Sequence, residues 1–361
     1  MRKFKLLMLF PLFLLAIIFA SAIVQGGSLS LKDVPAQDLK VARVIETDIP
    51  PEAIWSPDGK RYVCIQGKRE SIKSLVLGTR EVKGLNKIYS GSKIWKVLWS
   101  PDGTKIMFPT RNYNRYGQIM LYDFSKEAVE VLVSGKGNFS YTRPSWSSDG
   151  RQIVYCERPV GKVRSSDIRI YIANADGSSP RYLTNGVDPT WSPKGDKILF
   201  MRSEYNPTTK RWGSPTRLIN PDGTGERELK NGVAEPKWSP DGSKLCGFCK
   251  VGLRVIDVAE GKTIDITIGG NGRFPDEFCW SPDGSKIVFE ETELSDPSEG
   301  IIGDEDIWVV NADGTGLNNL TDTDDIWESN PAWISPNEIA VTADIRGQAK
   351  TCTMILELTT K

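Results

Sequence analysis

Three carboxylates, Asp188, Glu235 and Glu277, each stand three residues ahead of a tryptophan (Trp191, Trp238 and Trp280). Oxygen donors of this kind suit Ca²⁺ if the fold brings them to one rim. Four further residues hold the same place before other tryptophans: Glu52, Lys96, Arg143 and Asn330. A ring of mixed sign could bind an ionic ligand or run carboxylate and lysine acid–base chemistry. It could equally balance its own charge around a wet channel, because no ligand loop of known spacing accompanies the carboxylates.

Other chemistry is closed by composition. The 361 residues include no histidine, which removes Ser/His/Asp and Cys/His triads, histidine metal sites and the commonest general base. Of six cysteines, Cys64, Cys156, Cys246 and Cys352 sit among apolar neighbours, as buried thiols do. Cys246 and Cys249 are three apart on an expected strand and face opposite sides, which disfavours a metal knuckle. A bridge between Cys246 and Cys279, on adjacent repeats, is the one pairing that geometry would allow. Lys+Arg 46 against Asp+Glu 46 gives no reason to expect nucleic acid as a partner.

The elements that must position the ring follow from the same tryptophans. WSPDG begins at Trp55, Trp99, Trp238 and Trp280, with variant copies at Trp146 (WSSDG), Trp191 (WSPKG) and Trp333 (WISPN). Seven copies at a period in the forties, each with several short apolar runs, mark propeller blades. Ser, Pro and Gly fall at the first, second and fourth places of a type I turn, and Pro presets the backbone angle. The phrase therefore reads as a turn with a packing tryptophan, not as a row of ligand positions. Asn174-Ala175-Asp176-Gly177 and Asn311-Ala312-Asp313-Gly314 supply the tight turns later in each repeat.

These repeats, WSPDG-x-x-Φ-x-F leading to NADGTG-x-x-x-LT, resemble those of the TolB propeller family over roughly residues 39 to 361. The resemblance implies a periplasmic binding protein, one that in the family meets a peptidoglycan-associated lipoprotein. Family propellers have six blades, whereas seven copies are counted here.

The expected fold is all-β: a seven-bladed propeller of four-stranded antiparallel blades, forming a single domain over 39–361. The seventh repeat lacks an outer strand, and the alternating segment 39–47 (LKVARVIET) has no other partner, so it is expected to close the ring in blade seven. Residues 1–22 have the basic, apolar and small-residue pattern of a secretory signal, with an uncleaved anchor as the competing reading. Residues 23–38 read as a linker. The chain is thus expected to be exported, periplasmic or extracellular, and monomeric, touching a membrane only through an uncleaved N-terminus.

Recognition is expected on the divergent loops between second and third strands. Blades two and three offer Arg111, Tyr113, Arg115, Tyr116 and Arg158, and blade four adds Tyr205, Arg211 and Trp212. Blade six is acidic instead, with Glu290, Glu291, Glu293, Asp296, Glu299, Asp304, Glu305 and Asp306 in one expected loop. This bipolar face suits an envelope protein or an anionic polymer. The reading is a non-catalytic interaction scaffold with no cofactor beyond Ca²⁺. The alternative is a carbohydrate-active lyase or hydrolase that uses carboxylates with Lys or Tyr.

Overall fold

The computed structural model describes residues 34–360, apart from 68–72, 82–83, 92, 95, 112–116, 136–138, 162, 164–166, 207–209, 269–272, 297–300, 324 and 346–350. The expected leader at 1–22 lies outside the described residues. So does most of the expected linker, but its last residues belong to the body. Ala36–Asp38 form a 3-10 turn, and Ala36 is fully buried with its amide on Asn311 Oδ1 at 2.9 Å.

Seven antiparallel sheets make the propeller expected from the repeats. Blade three is representative, running Phe139–Trp146, Gln152–Pro159, Arg169–Asn174 and Arg181–Asn185 from the centre outward. Blade four carries an extra two-stranded hairpin, Glu204–Asn206 with Arg211–Gly213. Alternation along the second and third strands puts apolar side chains on both sheet faces. The core is therefore a series of layers between neighbouring blades, such as the one joining Cys246, Leu253 and Val255 of blade five to Phe278, Ile287 and Phe289 of blade six.

The repeated phrase forms the expected turn. The Ser56 hydroxyl donates to Asp58 Oδ1 (2.6 Å) and accepts the Arg61 amide (2.9 Å), while the Gly59 amide donates to the Ser56 carbonyl (2.9 Å). Gly59, Gly103, Gly150, Gly242 and Gly284 share φ between 66° and 70°, a conformation costly for any residue with a Cβ. In blade four, where Lys194 replaces the aspartate, Ser192 turns to Asp196 at 2.8 Å. The hydroxyls of Ser56, Ser100 and Ser147 hold the carboxyls of Asp58, Asp102 and Asp149 below their ordinary range. Each tryptophan packs between blades, and two indoles also bond across the gap: Trp99 Nε1 donates to the Ile54 carbonyl (3.0 Å), and Trp280 Nε1 to that of Lys237 (3.1 Å).

The ring closes as the unpaired segment foretold. Leu39–Glu46 lies antiparallel to Thr351–Thr360, with Leu39 opposite Thr360 and Glu46 opposite Met354. Blade one then docks on blade seven through the Arg80–Glu338 ion pair and through Thr353, whose hydroxyl donates to the Pro50 carbonyl at 2.7 Å. All six cysteines are free thiols, so Cys246 and Cys279 are not bridged.

Gly59 offers a test of this seam. A Cβ there would stand 2.2 Å from the Ile334 carbonyl oxygen of blade seven, whereas at Gly103 the nearest atom is the tip of Arg61 at 3.4 Å. Gly103→Ala should cost about 1 kcal/mol for its left-handed backbone, and Gly59→Ala several times as much. Urea unfolding measures both, and equal losses would contradict the packing of blade one on blade seven.

Candidate functional site

Innermost strands carry a bulge just before the tryptophan. Pairing with the second strand shifts between Thr142 and Ser145, Val187 and Thr190, Ala234 and Lys237, Pro275 and Phe278, and Ser329 and Ala332. At that point Arg143, Asp188, Glu235 and Asn330 adopt φ of 53°, 55°, 49° and 52°, and Glu52 in blade one adopts 57°. None is glycine, and each such residue costs on the order of 1 kcal/mol. Bulges re-aim side chains, and strained non-glycine residues gather at functional places.

Four of the seven positions meet at one cavity of about 440 Å³, namely Glu52, Lys96, Glu277 and Asn330. Blades two and six are not neighbours in the ring, so a space that both line opens on its centre. The cavity reaches outward between blades seven and one, where Ile54, Trp55, Ile65, Ala340 and Val341 wall it and Thr342 and Thr353 add hydroxyls. Both hydroxyls are engaged with the seam backbone, Thr342 accepting the Glu52 amide at 3.2 Å.

The charges are partly spent on one another. Arg143 pairs with Asp188, and Lys237 pairs with Glu277 at 3.0 Å while donating to the Phe278 carbonyl at 2.7 Å. Lys96 keeps solvent access but is ringed by channel wall. That confinement, with the charges of Arg143 and Lys237, holds its ammonium below the usual lysine range. Asp188 and Glu277, of the trio expected to suit Ca²⁺, each face a cation. Among the described residues no three such ligands converge, and pairing of two of these carboxylates with cations lowers the surplus negative charge that favours Ca²⁺.

Blade six also departs from expectation, since its acidic run is not a solvated loop. It lies on an extended hairpin, Lys286–Asp296 with Ile301–Asn311, that places Glu290 opposite Ile307 and Glu291 opposite Asp306. Glu290, Glu291 and Glu328 are buried. Burial, then the charges of Glu305, Asp276 and Glu277, push the Glu290 carboxyl up to about 7, although it accepts the Asn330 amide at 3.0 Å. Glu328 is likewise pushed up to about 7, mainly by burial, while accepting the Thr323 hydroxyl. Glu291 is raised too, with Arg273 opposing at 3.0 Å. Sequence reasoning missed this wing because the charges in Glu290–Asp306 hide the strand period. The alternation of Ile287 and Phe289 ahead of Glu291 was the available signal.

Of the expected loop residues, Arg158 and Tyr205 are exposed, on blade three and on the blade-four hairpin. Arg111, Arg211 and Trp212 lie on strands, with Trp212 opposite Tyr205. Tyr113, Arg115 and Tyr116 fall outside the described residues, as does Glu299.

Residues 19–232 match the TolB beta propeller domain family. The Tol-Pal system protein TolB of Francisella tularensis is 26% identical over 226 residues, 60% of this chain and 50% of its own. An uncharacterized peptidase, YuxL, of Bacillus subtilis is 29% identical over 136 residues, 35% of this chain and 19% of its own. The chain thus spans half or less of the length of these curated relatives. Among solved structures, an oligogalacturonate lyase from Vibrio parahaemolyticus superposes with a TM-score of 0.64 at 13% identity, over 89% of this chain and 98% of that one. At such identity the likeness is one of fold.

The raised carboxyls make stability depend on pH. A carboxyl that holds its proton more tightly folded than unfolded favours the fold at low pH, and that favour is lost as pH rises from the ordinary 4.5 through about 7. Glu290→Gln keeps an acceptor for the Asn330 amide and removes the charge. It should raise stability on the order of 2 kcal/mol at pH 8 and have little effect near pH 4.5. Thermal unfolding at both pH values reads the difference, and a loss at pH 8 would show that the buried charge is compensated.

Proposed function

Because the chain belongs to the TolB beta propeller family, we propose that it is an exported, non-catalytic binding module that docks an envelope protein or anionic polymer on its channel mouth. One observation carries this reading. Five non-glycine residues at the mouth, Glu52, Arg143, Asp188, Glu235 and Asn330, are held where glycine would cost less. Glu127, Ser179, Lys210, Asn231 and Asp322 share the conformation singly in turns and loops, whereas the mouth repeats it at one place in five blades, which supports a use for those side chains. With Asp188 and Glu277 tied to cations and no histidine in the chain, the mouth is better equipped to present charge than to move protons. The exposed Arg158 and Tyr205 extend the same surface outward, a mix of arginine and aromatic groups that binding faces favour.

Glu235 is the sharpest probe, being exposed at φ 49°. Glu235→Gly should leave stability unchanged or raise it by up to about 1 kcal/mol, and the double variant Lys96→Ala/Glu235→Gly should lose a partner that the wild type captures by crosslinking in an envelope fraction. Acidic oligosaccharides incubated with the wild type should come back intact. Turnover that disappears in the double variant would replace the binding reading with an enzyme.

A further inference from the structure

The seam where the ring closes is packed more thinly than the next interface. Its buried side chains are Ile334, Ala340 and Ile355 of blade seven with Ile49, Tyr62, Cys64 and Val76 on the blade-one side, seven against the thirteen that fill the layer blades six and seven share. The cause can be read in register. The residue after the tryptophan's cross-strand partner is Val63, Met107, Val154, Leu199, Cys246 and Val288 in the first six blades, and Ala340 in the seventh. Ala340 lines the outer part of the 440 Å³ cavity, which is in the size range of small-ligand sites.

Two charged side chains line this cavity without a partner. Neither Glu52 nor Lys96 makes an ion pair or side-chain hydrogen bond among the described residues, with each other or with any other group. By contrast Glu277, on the same wall, is paired with Lys237. An apolar recess with one uncompensated cation and one uncompensated anion is complementary to a ligand that carries both charges around an apolar body.

We propose that the cavity between blades seven and one binds an apolar zwitterion of the amino-acid or short-peptide type, its carboxylate on Lys96, its ammonium on Glu52 and an aliphatic side chain against Ala340 and Val341. A ligand with a single charge would leave one of the two protein charges unanswered. The inference rests on the mouth being a binding surface and narrows it to a ligand class. It calls for no protein partner.

Leucyl-leucine is the probe, titrated calorimetrically into the full chain. Free dipeptide should bind, and N-acetyl-leucyl-leucine and leucyl-leucine amide should each bind at least tenfold more weakly. Lys96→Met should abolish the difference between free acid and amide but not that between free and acetylated amine, and Glu52→Gln should do the reverse. Ala340→Val, the residue of blades one, three and six, should weaken leucyl-leucine more than alanyl-alanine. Leucine and trileucine in the same titration tell a free amino acid from a longer peptide as the natural occupant. Absence of binding at millimolar dipeptide, or affinity indifferent to capping, overturns the inference. Capture of an envelope protein without dipeptide binding would also overturn it while leaving the mouth reading in place. The capped ligands act on the wild type, so the test does not depend on any variant folding.

Discussion

The pairing of Leu39–Glu46 with Thr351–Thr360 is the contact on which the rest depends, because a propeller blade is not stable alone. Each four-stranded sheet exposes two apolar faces, and only a neighbour on both sides buries them. Six of the seven interfaces form between segments adjacent in sequence. The seventh must bring the ends of the domain together, and its loop-closure entropy is the largest in the fold. Borrowing the outer strand of the last blade from the N-terminus turns that closure into a ladder of backbone hydrogen bonds, reinforced by Ala36 and Leu39 in the core of blades six and seven. The ring then has no frayed first or last unit.

A closed ring fixes the innermost strands, and with them the mouth. The bulge before the tryptophan, seen in five blades, is tolerable where the turn after it is over-determined: one serine hydroxyl serves both an aspartate and an amide, and a left-handed glycine completes the loop. At the rim each blade varies the residue three before its tryptophan, where charge can change without disturbing the turn. The turn face of the molecule is nearly invariant from blade to blade, and the rim is not. This division separates stability from recognition in a repeat that uses one phrase throughout.

Much of this was legible in the sequence, and for a physical reason. Seven tryptophans at nearly equal spacing report a local rule, and local rules survive without tertiary information. Blade count, the turn and the closing strand all follow from it, and the same count picks out Glu52, Lys96, Glu277 and Asn330, which line one cavity. Three things were not legible, because each depends on contacts between blades. Ion pairing of Arg143 with Asp188 and of Lys237 with Glu277 dissolves the carboxylate trio, yet Lys237 is the residue before a tryptophan and stands outside the three-back count. Burial of Glu290 and Glu328 requires the long blade-six hairpin to lean on blade seven, which a run of charges conceals. The seam cavity is a difference in size among side chains that correspond only after strand register is known.

The seam combines two demands that pull in opposite directions. Closure asks for dense packing between blades seven and one, and the cavity withholds it, since a void of this size forfeits dispersion contacts along its whole lining. Polar links offset the deficit, one away from the gap, Arg80 with Glu338, and two on its wall, Thr353 with the Pro50 carbonyl and Thr342 with the Glu52 amide. The same amide belongs to a residue whose left-handed backbone sets its carboxylate on the cavity wall. The group that strains the mouth is thus anchored by Thr342, on the second strand of blade seven, so a ligand gripping Glu52 would bear on the seam itself. Binding there would add to closure energy, because a ligand that recognises only the closed ring stabilises it in proportion to its own affinity.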